Sequence, residues 1–223
     1  ACIAGNDGRG LDVALISRHP LSFIKSHASL KLADVGIEPP DGVDPDLPVY
    51  RRDCLMIKIG QLTLFVCHFK SAYPNPDVAW KTRRLEALAT RRLIERYFTK
   101  PENSLWLIVG DLNEPNVQDG DYERAIAPLE SHFSEDLMMR LPDPERWTYY
   151  DPHSGLYHCP DALLASPELA RLCEGITTIV VRKGLGVEVS RFRGSRLKAV
   201  GEHRPHASDH AAVLIELDQI PNS

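Results

Sequence analysis

"LWLIVGDLN", residues 105–113, decides how the rest of the chain is read. An apolar run from Leu105 to Val109 reaches Gly110 and stops on Asp111, Leu112 and Asn113. A short apolar run bounded by turn formers reads as a buried strand. Side chains alternate along an extended strand, so Asp111 and Asn113 project to one side. Asp and Asn are also ordinary turn residues, so the pair alone carries little weight.

The flanking sequence supplies the neighbours of that strand. "CLMIKIG" (54–60) and "LTLFVCH" (62–68) are β-rich runs around Gly60-Gln61, a hairpin signal. "LDVALIS" (11–17) reads as a further strand after the turn-forming "GNDGRG" (5–10). Residues 34–50 are rich in Pro, Asp and Gly and read as a surface loop. After the break "AYPNPD" (72–77), a helix is expected over about Val78–Phe98. Leu85, Leu88, Ala89, Leu93 and Tyr97 should face inward, with Arg83, Arg84, Arg91, Arg92 and Arg96 mostly elsewhere. A shorter helix is expected over about 121–130. "WTYY" (147–150), "DALLAS" (161–166), "ITTIVVR" (176–182) and "AAVLIEL" (211–217) read as strands. Strands interrupted by helices imply a mixed α/β or α+β layered domain. No boundary divides it, so residues 1–223 are taken as one domain.

Composition sets limits. The 223 residues are 43% hydrophobic and 26% charged, enough for one sizeable core. A net charge of −5 excludes a bulk polycation coating nucleic acid, so an anionic substrate must meet a local patch. The five cysteines are odd in number and widely spaced, which favours buried thiols and a cytoplasmic setting. No apolar run approaches the roughly 20 residues of a membrane span.

Polar residues gather where apolar runs end: "HFKS" (68–71), "GDLN" (110–113), Asp161 opening "DALLAS", and "SDH" (208–210) before the last strand. Each alone is an ordinary turn. Together they supply what hydrolysis of a phosphate ester needs. Asp111 is placed to take the proton of an attacking water. Asn113 can orient that base or donate to a phosphoryl oxygen. His68 and His210 can face the developing negative charge. Asp209 is a hard ligand suited to Mg²⁺ or Mn²⁺. His210 needs a carboxylate to fix its tautomer, and Asp161 is the candidate. Asp12 could hold His68 if 12–17 pairs antiparallel with 62–68.

In order, "GNDGRGLDVALISRHPL", "HFKS", "GDLN", "PDALLASP" and "SDHAAV" resemble the endonuclease/exonuclease/phosphatase superfamily. That family includes DNase I-like nucleases, abasic-site endonucleases, sphingomyelinases and inositol-polyphosphate phosphatases. The likeness spans about Gly5 to Leu217, and the first motif resembles a bacterial, mostly uncharacterised branch. It implies a four-layered α/β sandwich, two mixed sheets face to face with helices outside. It also implies roles: Asp111 the general base, Asn113 its partner on the scissile phosphate, and His210 the stabiliser of the transition state. Asp161 would orient His210, Asp209 would lie at the metal site, and His68 would be the second histidine. The implied activity is Mg²⁺- or Mn²⁺-dependent, nuclease-like phosphodiester hydrolysis. The family's N-terminal Asn strand and Gln-Glu strand have no counterpart before "GNDGRG". The expectation is therefore an N-terminally truncated fold with weak metal affinity and an unpaired sheet edge. The alternative is a catalytically silent binding module.

Weaker signals complete the reading. Residues 182–206 hold seven Lys/Arg against two Glu and lead into "SDH", as a phosphate-holding loop or an ordinary solvated hairpin. Lys70 shares the strand face of His68 and is expected to pair with a carboxylate. Trp80, Trp106 and Trp147 read as core.

Overall fold

A computed structural model describes residues 5–115, 123–201 and 206–217. The 54–68 region forms the expected hairpin, β2 (Cys54–Ile59) and β3 (Leu62–His68), turning at Gly60 with φ +56°. A short β1 (Phe23–Lys25) pairs antiparallel with β2. Helix α1 (Pro76–Tyr97) carries the chain back so that β4 (Trp106–Asp111) lies parallel to β3. Asn75 starts α1 by accepting the Asp77 and Val78 N–H groups, and Pro76 opens its first turn. Beyond β5 (Glu135–Asp136) come β6 (Tyr149–Asp151), β7 (Leu156–His158) and β8 (Asp161–Ala165). Helix α2 (Pro167–Leu172), β9 (Ile179–Val181) and β10 (Ala212–Leu214) follow. The main sheet is mixed, in the order β1-β2-β3-β4-β8-β5. The smaller pairs β6-β7 and β9-β10 are joined through an antiparallel bridge between Tyr149 and His210. The α/β class is thus as expected.

Alternation along the strands builds two cores. Phe65, Cys67, Trp106, Ile108, Ala162 and Leu164 face α1, which covers them with Ala87, Ala89 and Ile94. The other face carries Leu64, Leu107, Val109, Leu163 and Ala165 toward Val180, Val213 and Ile215 of the second β layer. Register stacks this face in rows: Leu64 beside Leu107 and Ala165, then Val66 beside Val109 and Leu163. The next row is His68, Asp111 and Asp161.

Gly110 is what lets β3 and β4 approach at that end. It has φ +126°, and a Cβ there would lie 2.0 Å from the Cys67 carbonyl oxygen. Gly110→Ala should therefore cost about 2–4 kcal/mol, from backbone strain plus a clash that only backbone movement relieves. Thermal unfolding checks this, with Tm expected to fall by about 5–15 °C.

Several expectations are corrected. Residues 11–17 are not a strand. Val13 packs on Leu55 and Ile57, but Ile16 is wholly exposed, and only Ala14 has bridge geometry. The segment covers β2 as extended chain, so its pairing with 62–68 does not occur: β3 is flanked by β2 and β4. In α1 the buried stripe includes Arg83, Glu86 and Thr90 along with Ala79, Ala87, Ala89 and Ile94, while Tyr97 is 41% exposed. The helix expected over 121–130 is, among its described residues, only a 3₁₀ turn at Ala127–Leu129; residues 121 and 122 lie outside the description. "WTYY" becomes β6 two residues later. Strands β1, β5 and β7 and helix α2 were not expected. Cys54, Cys67, Cys159 and Cys173 form no disulfide among the described residues, and Cys2 lies outside them. No described helix is long and apolar enough to cross a membrane.

Candidate active site

The third row is polar because each strand ends there. His68 closes β3, Asp111 closes β4, and Asp161 opens β8, which runs antiparallel and so begins where β4 stops. All three project on the face that meets the second β layer. His210 reaches them from that layer, held by its bridge to Tyr149 and by the Ala211 N–H on the Thr148 carbonyl at 2.7 Å. The structure thus brings together four of the six expected site residues directly: His68, Asp111, Asp161 and His210.

Asp161 is a hub. Its Oδ2 lies 2.8 Å from His210 Nδ1 and accepts the Thr148 hydroxyl at 2.5 Å. Nδ1 must carry the proton toward the carboxylate, so Nε2 is the nitrogen left for a substrate. Burial pulls the imidazole pKa of His210 down. The Asp161 hydrogen bond and charge, with Asp111 and Asp209, outweigh it and raise it to about 9. His210 is therefore a cation at neutral pH. The ring of Tyr149 lies 4.9 Å from that of His210, centre to centre, at 33°.

Asp111 is the opposite case. Burial pushes its carboxyl up to about 6, the Asp161 charge adds to the rise, and His210 opposes it. Its Oδ1 accepts the Asn113 N–H at 2.9 Å. Its Oδ2 lies 3.4 Å from His68 Nε2. That contact is not an ion pair near neutrality. Burial lowers the His68 pKa to about 4, with Arg52 and His210 adding to the drop. His68 is then neutral beside a carboxylate that titrates close to the working range of a general base.

Asn113 corrects the reading of the opening stretch. It does not extend the strand: its φ is +52°, in the left-handed region that Asn tolerates better than most residues. The chain turns after Asp111, and Asn113 Nδ2 donates to the Phe69 carbonyl at 3.0 Å. The Asp-x-Asn spacing is an Asx-type turn that fixes the carboxylate from below. His68 is likewise held by Asp111 and not by Asp12, which instead accepts the Gly5 N–H.

Asp209 is exposed, on the wall of a cavity of about 360 Å³ that Tyr149, Tyr150, Leu185 and His206 also line. Among the described residues no group of three His, Cys, Asp or Glu is placed to hold a metal ion. Both oxygens of Asp111 face Asn113 and His68, and Oδ2 of Asp161 is taken by His210 and Thr148. The described residues therefore do not fit a Mg²⁺ or Mn²⁺ cage built on Asp209.

Other parts support the site from outside. Glu86, wholly buried on α1, accepts the N–H of Lys70 at 2.8 Å and of Arg51 at 3.1 Å. Burial pushes its carboxyl up to about 7. One turn earlier, Arg83 donates to the Lys70 carbonyl at 3.1 Å and faces Glu114 at 3.5 Å. Helix α1 thus grips both sides of the peptide that follows β3. Lys70 itself pairs with no carboxylate among the described residues: its ammonium donates to the carbonyls of Ser71 and Tyr73. Sequence reasoning missed Thr148 and the support given by Glu86. Thr148 carried a signal, inside a run already read as a strand.

The basic segment resolves mostly to structure. Arg182 stacks 4.1 Å over the Trp147 ring and donates to the Trp147 carbonyl, and Arg196 donates to the carbonyls of Leu185, Gly186 and Val189. Arg191 lies over Tyr157. Lys183, Arg193 and Lys198 are exposed, and His203 and Arg204 lie outside the described residues. Trp106 and Trp147 are core, as expected.

No protein-family profile matches the chain, and no curated protein matches it in sequence. Solved structures do. The 3′ phosphatase NExo from Neisseria, bound to a product DNA hairpin, is 15% identical with a TM-score of 0.52, over 91% of this chain and 73% of that one. An AP endonuclease from Archaeoglobus fulgidus is 16% identical with a TM-score of 0.51, over 87% of this chain and 88% of that one. Truncated TDP2 from Caenorhabditis elegans is 16% identical over 72% of this chain, with a TM-score of 0.47. This chain spans only 56% of that structure's length. At such identities the first two likenesses establish a shared fold alone.

Proposed function

We propose that this chain, whose fold is that of the endonuclease/exonuclease/phosphatase superfamily, hydrolyses phosphodiester bonds in a nuclease-like way. The observation that carries the reading is the row His68–Asp111–Asp161 across three adjacent strands, with His210 fastened to Asp161. Asp111 takes a proton from water as the water attacks phosphorus in line. Its burial makes it a stronger base than an exposed aspartate, and the Asn113 N–H keeps one oxygen fixed while the other lies beside His68. His210, charged and anchored, offsets negative charge growing on the phosphoryl oxygens. Neutral His68 can donate a hydrogen bond without neutralising the base beside it. DNA as substrate is suggested by what NExo was solved with. Dependence on Mg²⁺ or Mn²⁺ enters from the family resemblance and not from the described residues, so no step above runs through a metal.

The test is hydrolysis of bis(p-nitrophenyl) phosphate, with EDTA and with Mn²⁺. Turnover in either condition supports a phosphodiesterase and separates its metal requirement. A folded chain inert in both sinks the reading in favour of a silent binding module.

The titration of the site gives a second expectation. The base must be ionised, so kcat/KM rises with pH through about 6 as Asp111 loses its proton. The cation must stay protonated, so activity falls through about 9 as His210 loses its own. A bell with those limbs in a pH–rate profile is the expected result. A rate still climbing past pH 10 contradicts the role given to His210.

A further inference from the structure

The loop "GNDGRG" carries a guanidinium that the reaction above does not use. Asp7 holds Arg9 through three bonds: its backbone N–H at 2.8 Å, Nε at 3.1 Å and Nη2 at 3.2 Å. The same carboxylate lies 3.2 Å from Nε of Arg52, which is buried and donates to the Phe69 carbonyl at 2.9 Å. Phe69 follows His68, so Arg9 is tied through Asp7 and Arg52 to the end of β3. Asn6 fastens the loop further, its side chain donating to the Tyr50 carbonyl at 3.0 Å. Asp7 stays ionised, its carboxyl held at about 2 chiefly by the Arg9 bond. The positive charge of Arg9 reaches both His68 and Lys70. Yet its side chain is 64% exposed, and a Cβ at Gly8 or Gly10 on either side would meet nothing within 4 Å. The result is an oriented guanidinium at an open rim of the site.

We propose that Arg9 binds a second phosphate of the substrate, beside the one being cleaved, so that the substrate is a nucleic-acid strand and not an isolated diester. This rests on the phosphodiesterase reading. A guanidinium has five N–H donors, and the Asp7 side chain takes only two. The outward edge suits a phosphate oxygen pair, and pre-orientation by Asp7 lowers the entropy cost of binding. If Arg9 only stitched the loop to Asp7, its loss would lower stability without changing which diester is preferred.

The experiment measures kcat and KM on a single-stranded oligonucleotide and on bis(p-nitrophenyl) phosphate. The proteins are the full chain, Arg9→Ala, Arg9→Lys and Arg171→Ala, the last a distant surface guanidinium paired with Glu168 that controls for net charge. Arg9→Ala should raise KM for the oligonucleotide about tenfold. The preference for oligonucleotide over small diester should fall by the same factor. The slope of log KM against log salt should shrink by about one phosphate contact. Arg9→Lys should recover part of the loss. A preference unchanged in Arg9→Ala, whether both rates fall together or neither does, overturns the proposal. Anisotropy of a fluorescent oligonucleotide needs no turnover and separates the two readings. Weakened binding by Arg9→Ala in a chain without turnover supports the contact and removes only the hydrolysis; no binding by the full chain overturns the contact.

Discussion

Asp111→Asn lowers kcat toward phosphodiesters by about 10²–10⁴-fold and leaves the protein more stable than before; that pair of results is expected together. The amide is isosteric and keeps an oxygen for the Asn113 N–H, but it cannot accept a proton from water at neutral pH. The stability gain follows from linkage. Asp111 titrates near 6 in the folded chain against 3.8 for the free group, so folding disfavours its charged form. The unfolded chain loses this proton first as pH rises. Stability therefore falls between about pH 4 and 6, and the full cost persists above that. By the size of the shift the cost is on the order of 2–3 kcal/mol at pH 7.5. Replacing the carboxyl by an amide removes the cost. Thermal melts at pH 7.5 and pH 4 check it: the mutant's advantage should be present at the first and largely gone at the second. A mutant both inactive and less stable would mean that Asp111 is structural.

The second large effect belongs to the His210–Asp161 pair. His210→Ala should lower kcat by about 10²–10³-fold, the size associated with losing one positioned transition-state donor. Asp161→Asn is the more informative change. The amide can still accept from Nδ1, so the ring stays roughly in place, but the charge that raises the His210 pKa is gone. Burial then dominates and pulls the imidazole down. The falling limb of the pH profile should move from about 9 to well below it, while the rising limb from Asp111 moves less, because losing the Asp161 charge lowers that carboxyl and losing charge on His210 raises it. The bell narrows from its alkaline side. A uniform loss of kcat at all pH values, with no movement of that limb, would assign Asp161 to folding alone.

Much of the site could be read from the chain because of how its strands alternate. β3, β4 and β8 are apolar at every second position on the inner face, and pairing aligns those positions in rows. Whatever follows one step beyond the apolar rows must fall side by side, and in this chain those residues are His68, Asp111 and Asp161. The remainder was hidden for specific reasons. Residues 11–17 have a strand's composition, but only Val13 is buried on β2, and Ile16 is left wholly exposed. The inward stripe of α1 carries Arg83 and Glu86 because their partners are peptide groups of a loop, which no helical periodicity reveals. Strands β1, β5 and β7 are two or three residues long, too short to show a period. The turn at Asn113 reverses the side-chain direction that an extended strand would give.

The row that makes the site also dates it. β3 and β4 are parallel and joined only by the long crossover through α1, and β8 pairs with β4 after a further fifty residues of chain, from Asp111 to Asp161. Pairings so far apart in sequence are the slow ones to form, since loop closure precedes any reward from contact. His210 comes later still, from the far end of the chain. Local pieces such as the β2–β3 hairpin or α1 can arise early, but none of them contains two of these groups. On the proposed reading a partly folded or nascent chain is therefore inert, and recovery of turnover on refolding would mark the last long-range pairing and not the first collapse.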